Sequence, residues 1–213
     1  MDKMNEQNLT FKRIDIALFC ETLTGKTEIC NSYLDNFKYE NRLATMYIDK
    51  FETKFTLKNE KKINLILWDT PGVPRLRSQA LIPLGKAQGV ILVFDVTNKS
   101  SFNNLNIWLK EIKERSPSIP IFLFGNKVDK NKDKWVMTSE EAKNFAEKNW
   151  LTYFEVSAET KQGINEGISY IVNNIYEKLE KEKNIPPLKI NNQFNDDRAK
   201  CVGKGKNNKK KSK

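Results

Sequence analysis

A Thr24-Gly25-Lys26-Thr27 segment lies shortly after an apolar, strand-like run that ends at Phe19. A glycine lets backbone N–H groups approach a phosphate, a lysine reaches the phosphate oxygens, and a threonine hydroxyl is a magnesium ligand. A helix that begins near Lys26 adds the partial positive charge of its N-terminus. The pattern predicts a phosphate-binding loop, although a solvated surface lysine is the plain alternative for Lys26. The expected nucleotide contacts are Thr22, Leu23, Thr24, Gly25, Lys26, Thr27 and Glu28.

Two later segments, each after a strand-like apolar run, are Asn126-Lys127-Val128-Asp129 and Ser157-Ala158. An aspartate accepts two hydrogen bonds from N1 and N2 of guanine, which adenine cannot donate, so Asp129 is expected to select guanine. Lys127 can lay its aliphatic stem along the base, and the N–H of Ala158 can contact guanine O6. A surface turn is the alternative explanation, but the preceding run Ile121 to Phe124 favours a base site.

Between these segments lies Trp68-Asp69-Thr70-Pro71-Gly72, at the end of another strand-like run. With these motifs in this order, the chain resembles a small GTPase of the Ras superfamily from Phe11 to about Leu179. Residues 94–105 are similar to the Rab branch in particular. The resemblance implies that Asp69 contacts Mg²⁺ through water and that the N–H of Gly72 contacts the γ-phosphate of GTP.

The resemblance extends to Thr45-Met46-Tyr47-Ile48-Asp49, which is similar to the Rab sequence Thr-Ile-Gly-Val-Asp. It implies that Thr45 ligates Mg²⁺, and an ordinary loop threonine is the alternative. The implied ligands are GTP or GDP with Mg²⁺, and the implied metal ligands are Thr27, Thr45 and, through water, Asp69. Effectors, exchange factors and activating proteins are expected to bind through Thr45 to Asp49 and Gly72 to Gln79.

Several positions depart from the pattern of the family. Cys20 stands where the phosphate loop usually opens with glycine, and a small buried residue is favoured there over a reactive thiol or a defective loop. Val73 stands where a glutamine usually orients the attacking water. No catalytic side chain is therefore intact, and slow GTP hydrolysis is expected unless a partner supplies the missing group. Pro71, Pro74 and Glu159 replace the usual alanine, glutamate and lysine.

The elements that must position these residues form alternating strands and helices. Residues 51–57 and 63–67 alternate in hydropathy, as in an antiparallel hairpin. Val90 to Phe94 and Ile121 to Phe124 are continuous apolar runs, typical of strands covered on both faces. The pattern predicts an α/β fold of three layers. We expect the P-loop small-GTPase type, with a mostly parallel six-stranded sheet and one antiparallel edge hairpin.

The predicted helices include one capped by Ser100 or Ser101 and a long amphipathic helix from Ile164 to Leu179. Beyond the last helix the sequence is rich in asparagine and lysine, with few apolar residues to offset the entropy of ordering. The expected organisation is an N-terminal extension (residues 1–10), a small-GTPase domain (residues 11–183) and a disordered polybasic tail (residues 184–213).

The chain of 213 residues has three cysteines without metal-ligand spacing and no histidine, which disfavours disulfides, zinc sites and histidine catalysis. Its net charge is +10, and the stretch from Pro187 onward holds nine Lys or Arg against Asp196 and Asp197. Lysines of this tail are expected to attract an anionic membrane weakly. Nucleic-acid binding is disfavoured, because no surface motif combines aromatic and basic residues.

No apolar run approaches the ~20 residues that span a bilayer, and Asp2 stands where myristoylation needs a glycine. Cys201 is too far from the end for a prenylation signal. A cytoplasmic monomer is expected, with peripheral membrane contact at most.

Two functional hypotheses remain, a Rab-like switch in intracellular traffic and a non-hydrolysing pseudo-GTPase that serves as a scaffold. Val73 favours the scaffold, and Asn126 to Asp129 favours nucleotide binding in either case.

Overall fold

The computed structural model describes residues 13–35 and 44–183. The predicted N-terminal extension and the predicted polybasic tail lie outside the described residues. Within the described ranges, strands form one mixed sheet and alternate along the chain with helices, as the hydropathy pattern predicts. The strands are β1 (Arg13–Phe19), β2 (Asp49–Thr56), β3 (Lys62–Asp69), β4 (Gly89–Asp95), β5 (Ile121–Asn126) and β6 (Thr152–Glu155).

The sheet has the strand order β2-β3-β1-β4-β5-β6. All neighbouring strands pair in parallel except β2, which runs antiparallel to β3 with Phe55 opposite Ile63. The predicted mostly parallel sheet of six strands with one antiparallel edge hairpin is therefore confirmed. Along β2, the exposed side chains of Lys50, Glu52 and Lys54 alternate with residues that turn toward the core.

Helices cover both faces of this sheet. The described ones are α1 (Lys26–Tyr33), α2 (Arg77–Ala80), α3 (Lys99–Asn103), α4 (Leu105–Arg115), α5 (Ser139–Asn149) and α6 (Ile164–Lys183). The predicted long amphipathic helix is confirmed as α6. In the described part of the chain, no helix combines the length and apolar character needed to cross a membrane.

Side chains of β1 alternate between two hydrophobic cores. Ile14, Ile16 and Leu18 pack with residues of α1 and α6 on one face of the sheet. Ala17 and Phe19 pack with residues of α4 and α5 on the other face. Each large apolar side chain buried in this way stabilises the fold by about 1.5–3 kcal/mol relative to exposure. This alternation confirms the predicted three-layer arrangement.

The N-cap of α3 differs from the prediction. Asn98, and neither Ser100 nor Ser101, caps the helix, because its side-chain oxygen accepts from the N–H groups of both serines. Ser101 is instead buried, and its hydroxyl donates to the carbonyl of Asn98 while accepting from the N–H of Asp95. The prediction was wrong by two or three residues, because Asn98, Ser100 and Ser101 are all good capping residues and cannot be ranked by their type alone.

The carboxyl ends of the parallel strands lie along one edge of the sheet. In register, Leu18 is opposite Asp69, and Asp95 is opposite Asn126. The loops after β1, β3, β5 and β6 therefore emerge side by side, and they carry the four sequence motifs. A doubly wound sheet binds its ligands beyond this edge.

Gly163 connects the loop after β6 to the first turn of α6. Its φ is +69°, a left-handed conformation that glycine adopts without strain. A Cβ added there would lie 2.4 Å from the carbonyl oxygen of Glu155, which belongs to the backbone and cannot easily yield. Gly85 provides a contrast, since no heavy atom lies within 4 Å of a Cβ added to it.

The substitution Gly163→Ala is expected to lower the free energy of unfolding by about 2–4 kcal/mol, from left-handed strain together with the clash against the backbone. Gly85→Ala is the matched control, and its effect should stay within about 0.5 kcal/mol. Urea denaturation of both variants measures the difference. Equal midpoints for the two variants would contradict this account of the loop.

Candidate nucleotide-binding site

One cleft brings the predicted phosphate loop together with Thr45 and Gly72. Its free space, including the part open to solvent, is about 310 Å³. Apart from Ala44, every residue that lines it was predicted from the sequence to contact a nucleotide. The lining residues are Thr22, Leu23, Gly25, Lys26, Thr27, Glu28, Ala44, Thr45 and Gly72.

The phosphate loop runs from the end of β1 to the start of α1, and its backbone turns require unusual dihedral angles. Leu23 has φ +62° and Gly25 has φ +96°. A Cβ added to Gly25 would lie 2.1 Å from Nδ2 of Asn126, so no other residue fits without displacing that side chain. The glycine is therefore required both by its own conformation and by the close approach of the base-reading segment.

Lys26 is buried inside the loop that it follows. Its Nζ donates to the carbonyl oxygens of Cys20 at 3.1 Å and Glu21 at 2.8 Å. Burial lowers the pKa of Lys26, and nearby negative groups, Asp69 among them, oppose that shift. An ammonium group held at this place has the charge and position to contact phosphate oxygens above the loop.

Cys20 occupies a backbone conformation that favours glycine, with φ +155°. Its side chain is completely buried in the core, and its Sγ donates to the carbonyl of Ser101 at 3.6 Å. Burial raises the pKa of the Cys20 thiol to about 12. These features agree with the interpretation of Cys20 as a small buried residue rather than a reactive thiol.

The three predicted metal ligands lie together. Thr27 Oγ1 donates to Asp69 Oδ2 at 2.5 Å and lies 2.9 Å from Thr45 Oγ1. The other carboxylate oxygen, Oδ1, is buried and has no hydrogen-bond partner among the described residues. Burial raises the pKa of Asp69 to about 6, although the hydrogen bond from Thr27 lowers it.

This set of oxygen atoms fits Mg²⁺. Magnesium prefers hard oxygen ligands, and it is usually held by one or two carboxylates together with the phosphates of the ligand. Among residues 13–35 and 44–183 there is no cluster of three His, Cys, Asp or Glu side chains that would form a metal cage. A partly protein-built site around Thr27 and Asp69, completed by phosphate oxygens, is consistent with both observations.

Asn126 joins the phosphate loop to the base-reading loops. Its Nδ2 donates to the carbonyl of Thr24 at 2.9 Å, and its Oδ1 accepts from the N–H of Ala158 at 3.0 Å. Lys127, the next residue, donates through Nζ to the carbonyl of Leu23 at 2.9 Å and lies 2.5 Å from Asp95 Oδ2. These two contacts anchor its ammonium beside the phosphate loop.

Asp129, the predicted guanine reader, is held by its neighbours. Ser157 Oγ donates to its Oδ1 at 2.5 Å, and Lys130 Nζ lies 3.0 Å from its Oδ2. Burial raises the pKa of Asp129, but the hydrogen bonds from Ser157 and Lys130 outweigh burial and lower it overall. The carboxylate is therefore ionised and oriented by Ser157, as a base-reading acceptor requires.

Lys130 is part of the site that the sequence reasoning missed. It lies 2.7 Å from Glu159 Oε2 as well as 3.0 Å from Asp129. The two carboxylates raise the pKa of Lys130. Glu159, which stands where the similar GTPases usually have a lysine, thus forms an ion pair with a lysine on the adjacent loop. The only sequence signal for this ion pair was that the two loops predicted to bind the base carry residues of opposite charge.

The segment after β3 lies directly on the phosphate loop. A Cβ added to Gly72 would be 2.4 Å from the carbonyl carbon of Glu21 and 2.5 Å from the N of Thr22. Val73 is extended and leads into a 3₁₀ turn, Pro74–Leu76. Gly72 is therefore positioned beside the phosphate-binding backbone, while Val73 contributes no side-chain donor or acceptor.

A sequence model of the Ras family matches residues 15–177. The match covers nearly all of the described sheet and helices, and it includes every segment of the candidate site.

Curated relatives cover most of the chain. The chain is 32% identical over 191 residues to the Ras-related protein Rab-1 of Theileria annulata, covering 88% of this chain and 84% of the relative. It is 31% identical over 202 residues to the Ras-related protein Rab-11B of Dictyostelium discoideum, covering 92% and 90%. It is 30% identical over 167 residues to the Ras-related protein RABE1e of Arabidopsis thaliana, covering 78% and 76%.

The state of the cysteines gives a direct test of the phosphate loop. Cys20 and Cys30 are both buried, and burial raises the pKa of each thiol, so neither forms the reactive thiolate at pH ~8. In the variant Cys201→Ser, Ellman's reagent should label no thiol in the folded protein and both after unfolding in denaturant. Rapid labelling of the folded variant would contradict the buried conformation of Cys20.

Proposed function

The chain belongs to the Ras family and is a Rab-like small GTPase, and on this premise we propose that it is a guanine-nucleotide-dependent switch in intracellular traffic. It binds GTP and GDP with Mg²⁺. The observation that carries this proposal is the buried amide of Asn126, which hydrogen-bonds to both Thr24 and Ala158. This bridge holds a phosphate loop and a base-reading loop in one continuous site.

Guanine selection rests on Asp129. Its ionised carboxylate accepts from N1 and N2 of guanine, and the hydrogen bond from Ser157 maintains its orientation. Adenine lacks these donors, so its binding would leave the carboxylate unpaired, at a large cost in affinity. The backbone N–H of Ala158 donates to Oδ1 of Asn126, so a contact with guanine O6 would share or replace that hydrogen bond.

The phosphates are bound by the chain's own donors. The loop N–H groups of residues 22–26 and the ammonium of Lys26 surround them, and the N–H of Gly72 contacts the γ-phosphate. Thr27, Thr45 and Asp69 would hold Mg²⁺, the last through water, and the ion would neutralise charge on the phosphate oxygens. The unpaired, buried Oδ1 of Asp69 supports this assignment.

The proposed reaction is hydrolysis of GTP. Water attacks the γ-phosphorus, the bond to the β–γ bridging oxygen breaks, and GDP and phosphate leave. Val73 cannot orient that water, because its side chain has no donor or acceptor. Hydrolysis by the isolated protein is therefore slow.

A non-hydrolysing scaffold is the second candidate, and the same residue favours it. Val73 is followed by the turn Pro74–Leu76, in which a proline occupies the first position. A segment stiffened by proline is suited to present one fixed protein-binding surface. In both candidates the domain spans residues 11–183, flanked by an extension at 1–10 and a polybasic tail at 184–213.

The proposed partners are effectors, exchange factors and activating proteins. They bind through Thr45 to Asp49 and Gly72 to Gln79, and these segments expose Met46 and Tyr47. The protein acts as a monomer in the cytoplasm, and its polybasic tail contributes weak, reversible contact with anionic membranes.

Identification of the nucleotide that co-purifies with the protein tests the proposal most directly. Bound GTP indicates arrested hydrolysis and supports the scaffold, whereas bound GDP supports a working cycle. Absence of any guanine nucleotide, combined with failure to bind added GDP in the presence of Mg²⁺, would exclude both candidates.

The variant Asp129→Asn should bind GDP about a hundredfold more weakly, because its amide keeps one acceptor for N1–H but places an N–H donor against the N2 donor of guanine. It should gain affinity for xanthosine diphosphate, which has an acceptor in place of the guanine N2 donor. Asp133→Asn, at an exposed position of the same loop, is the matched control. Competition against fluorescent GDP measures all affinities. Equal ATP and GTP binding by the unmodified protein would contradict the base site.

Turnover distinguishes the switch from the scaffold. The unmodified protein should hydrolyse GTP on the order of 10⁻⁴ per second or more slowly in single-turnover measurements of phosphate release. Val73→Gln should raise the rate, because an amide can orient the attacking water. Val136→Gln, an exposed valine in a distant loop, is the control. Fast hydrolysis without substitution would contradict the assigned effect of Val73, and no gain from Val73→Gln would favour the scaffold.

A further inference from the structure

Arg77, the first residue of α2, makes contacts that the sequence analysis did not predict. Its guanidinium is 3.5 Å from Glu21 of the phosphate loop and 3.6 Å from Glu111 of α4. It also stacks over the ring of Trp108, 5.1 Å from the ring centroid. These four residues, Glu21, Arg77, Trp108 and Glu111, are called the Arg77 cluster below.

The cluster is tied together independently of any ligand. Trp108 is completely buried, and its Nε1 donates to Glu21 Oε1 at 3.2 Å, the same oxygen that Arg77 approaches. The side chains of Arg77 and Glu21 are only 21% and 16% exposed. The phosphate loop is thus joined to α2 and to α4 through one carboxylate.

Partial burial makes these contacts stronger than an ordinary surface ion pair. Exposed pairs contribute about 0–1 kcal/mol, because water screens them and side-chain entropy opposes them. Here the positive guanidinium faces two carboxylates and an aromatic ring, all of them mostly removed from solvent. Removal of Arg77 would leave the carboxylates of Glu21 and Glu111 near each other without the intervening positive charge.

The same phosphate-loop residue that binds Arg77 also supports Gly72. The backbone of Gly72 packs on Glu21 and Thr22 so closely that an added Cβ would lie within 2.6 Å of three of their atoms. Gly72 and Arg77 are the two ends of one short segment. Both ends are therefore held against Glu21, one by backbone contact and the other by charge.

We propose that Arg77 is a positioning residue that acts through Glu21 and Trp108, holding the Gly72–Arg77 segment on the phosphate loop and thereby favouring the triphosphate over the diphosphate. The inference rests on the proposed function, in which the N–H of Gly72 contacts the γ-phosphate. GDP lacks that phosphate. Loss of Arg77 should therefore weaken GTP binding while leaving GDP binding largely intact.

Arg75 offers a matched control on the same turn. It is exposed, and no hydrogen bond or ion pair joins it to another described residue. Arg75→Met removes the same charge and the same guanidinium as Arg77→Met, within the same short segment. A difference between the two variants therefore reports on the Arg77 cluster and not on the net charge of the protein.

The experiment compares the affinities of GDP and of a non-hydrolysable GTP analogue, by competition against fluorescent GDP in excess Mg²⁺. Arg77→Met should lower the affinity for the analogue on the order of tenfold relative to GDP, and Arg75→Met should not. Arg77→Lys retains the positive charge but lacks the planar guanidinium, so it should lose less affinity for the analogue than Arg77→Met does. Glu21→Gln should reproduce the effect, and the double variant Glu21→Gln/Arg77→Met should lose less than the sum of the two.

Hydrogen exchange of residues 73–81 in the protein without added nucleotide provides a second measurement. Arg77→Met should raise the exchange rate there, and Arg75→Met should leave it unchanged. If the unmodified protein bound no guanine nucleotide, the proposed function would fail, and hydrogen exchange would still decide whether Arg77 holds the segment. Equal losses of GDP and analogue affinity, or additive effects of the two substitutions, would overturn the proposal.

Discussion

The candidate site depends on one buried amide, that of Asn126. Its nitrogen donates to the carbonyl of Thr24 and its oxygen accepts from the N–H of Ala158, so it joins two loops at the end of β5. Leaving either group unpaired away from water would cost about 1–3 kcal/mol. Because only an amide offers a donor and an acceptor in this geometry, the distance between the phosphate and base subsites is determined by one side chain. The requirement for glycine at position 25 has the same origin, since the side chain of any larger residue would displace the Asn126 amide.

Backbone strain occurs around this bridge, as it does at four other described positions, Asp35, Glu60, Trp150 and Lys161. Cys20, Leu23 and Lys127 have positive φ angles although none is a glycine. Such conformations cost about 1–3 kcal/mol each, and they persist where the surrounding contacts impose them. The contacts are present here, because Lys127 binds both Asp95 and the carbonyl of Leu23. The site is therefore maintained by hydrogen bonds between loops and by the two cores beneath them.

The sequence predicted the features that depend on local pattern. Hydropathy was sufficient for the strands, the edge hairpin and α6, and the resemblance to the small GTPases implied the grouping of Thr27 with Asp69. The missed features are pairs of side chains distant along the chain. Arg77 is 56 residues from Glu21, and Lys130 is 29 residues from Glu159. No periodicity relates such residues, so their contacts follow only from the packing of the completed fold. The cap of α3 was missed for a different reason, competition among adjacent polar residues.

The alternation of charge along β2 bears on self-association. A strand at the border of a sheet carries unpaired backbone groups that can recruit a strand from another molecule, a route to aggregation and domain swapping. Lys50, Glu52 and Lys54 project from this strand into solvent and oppose the close, dehydrated approach that such pairing needs. These charges therefore disfavour pairing of β2 with a strand of a second molecule.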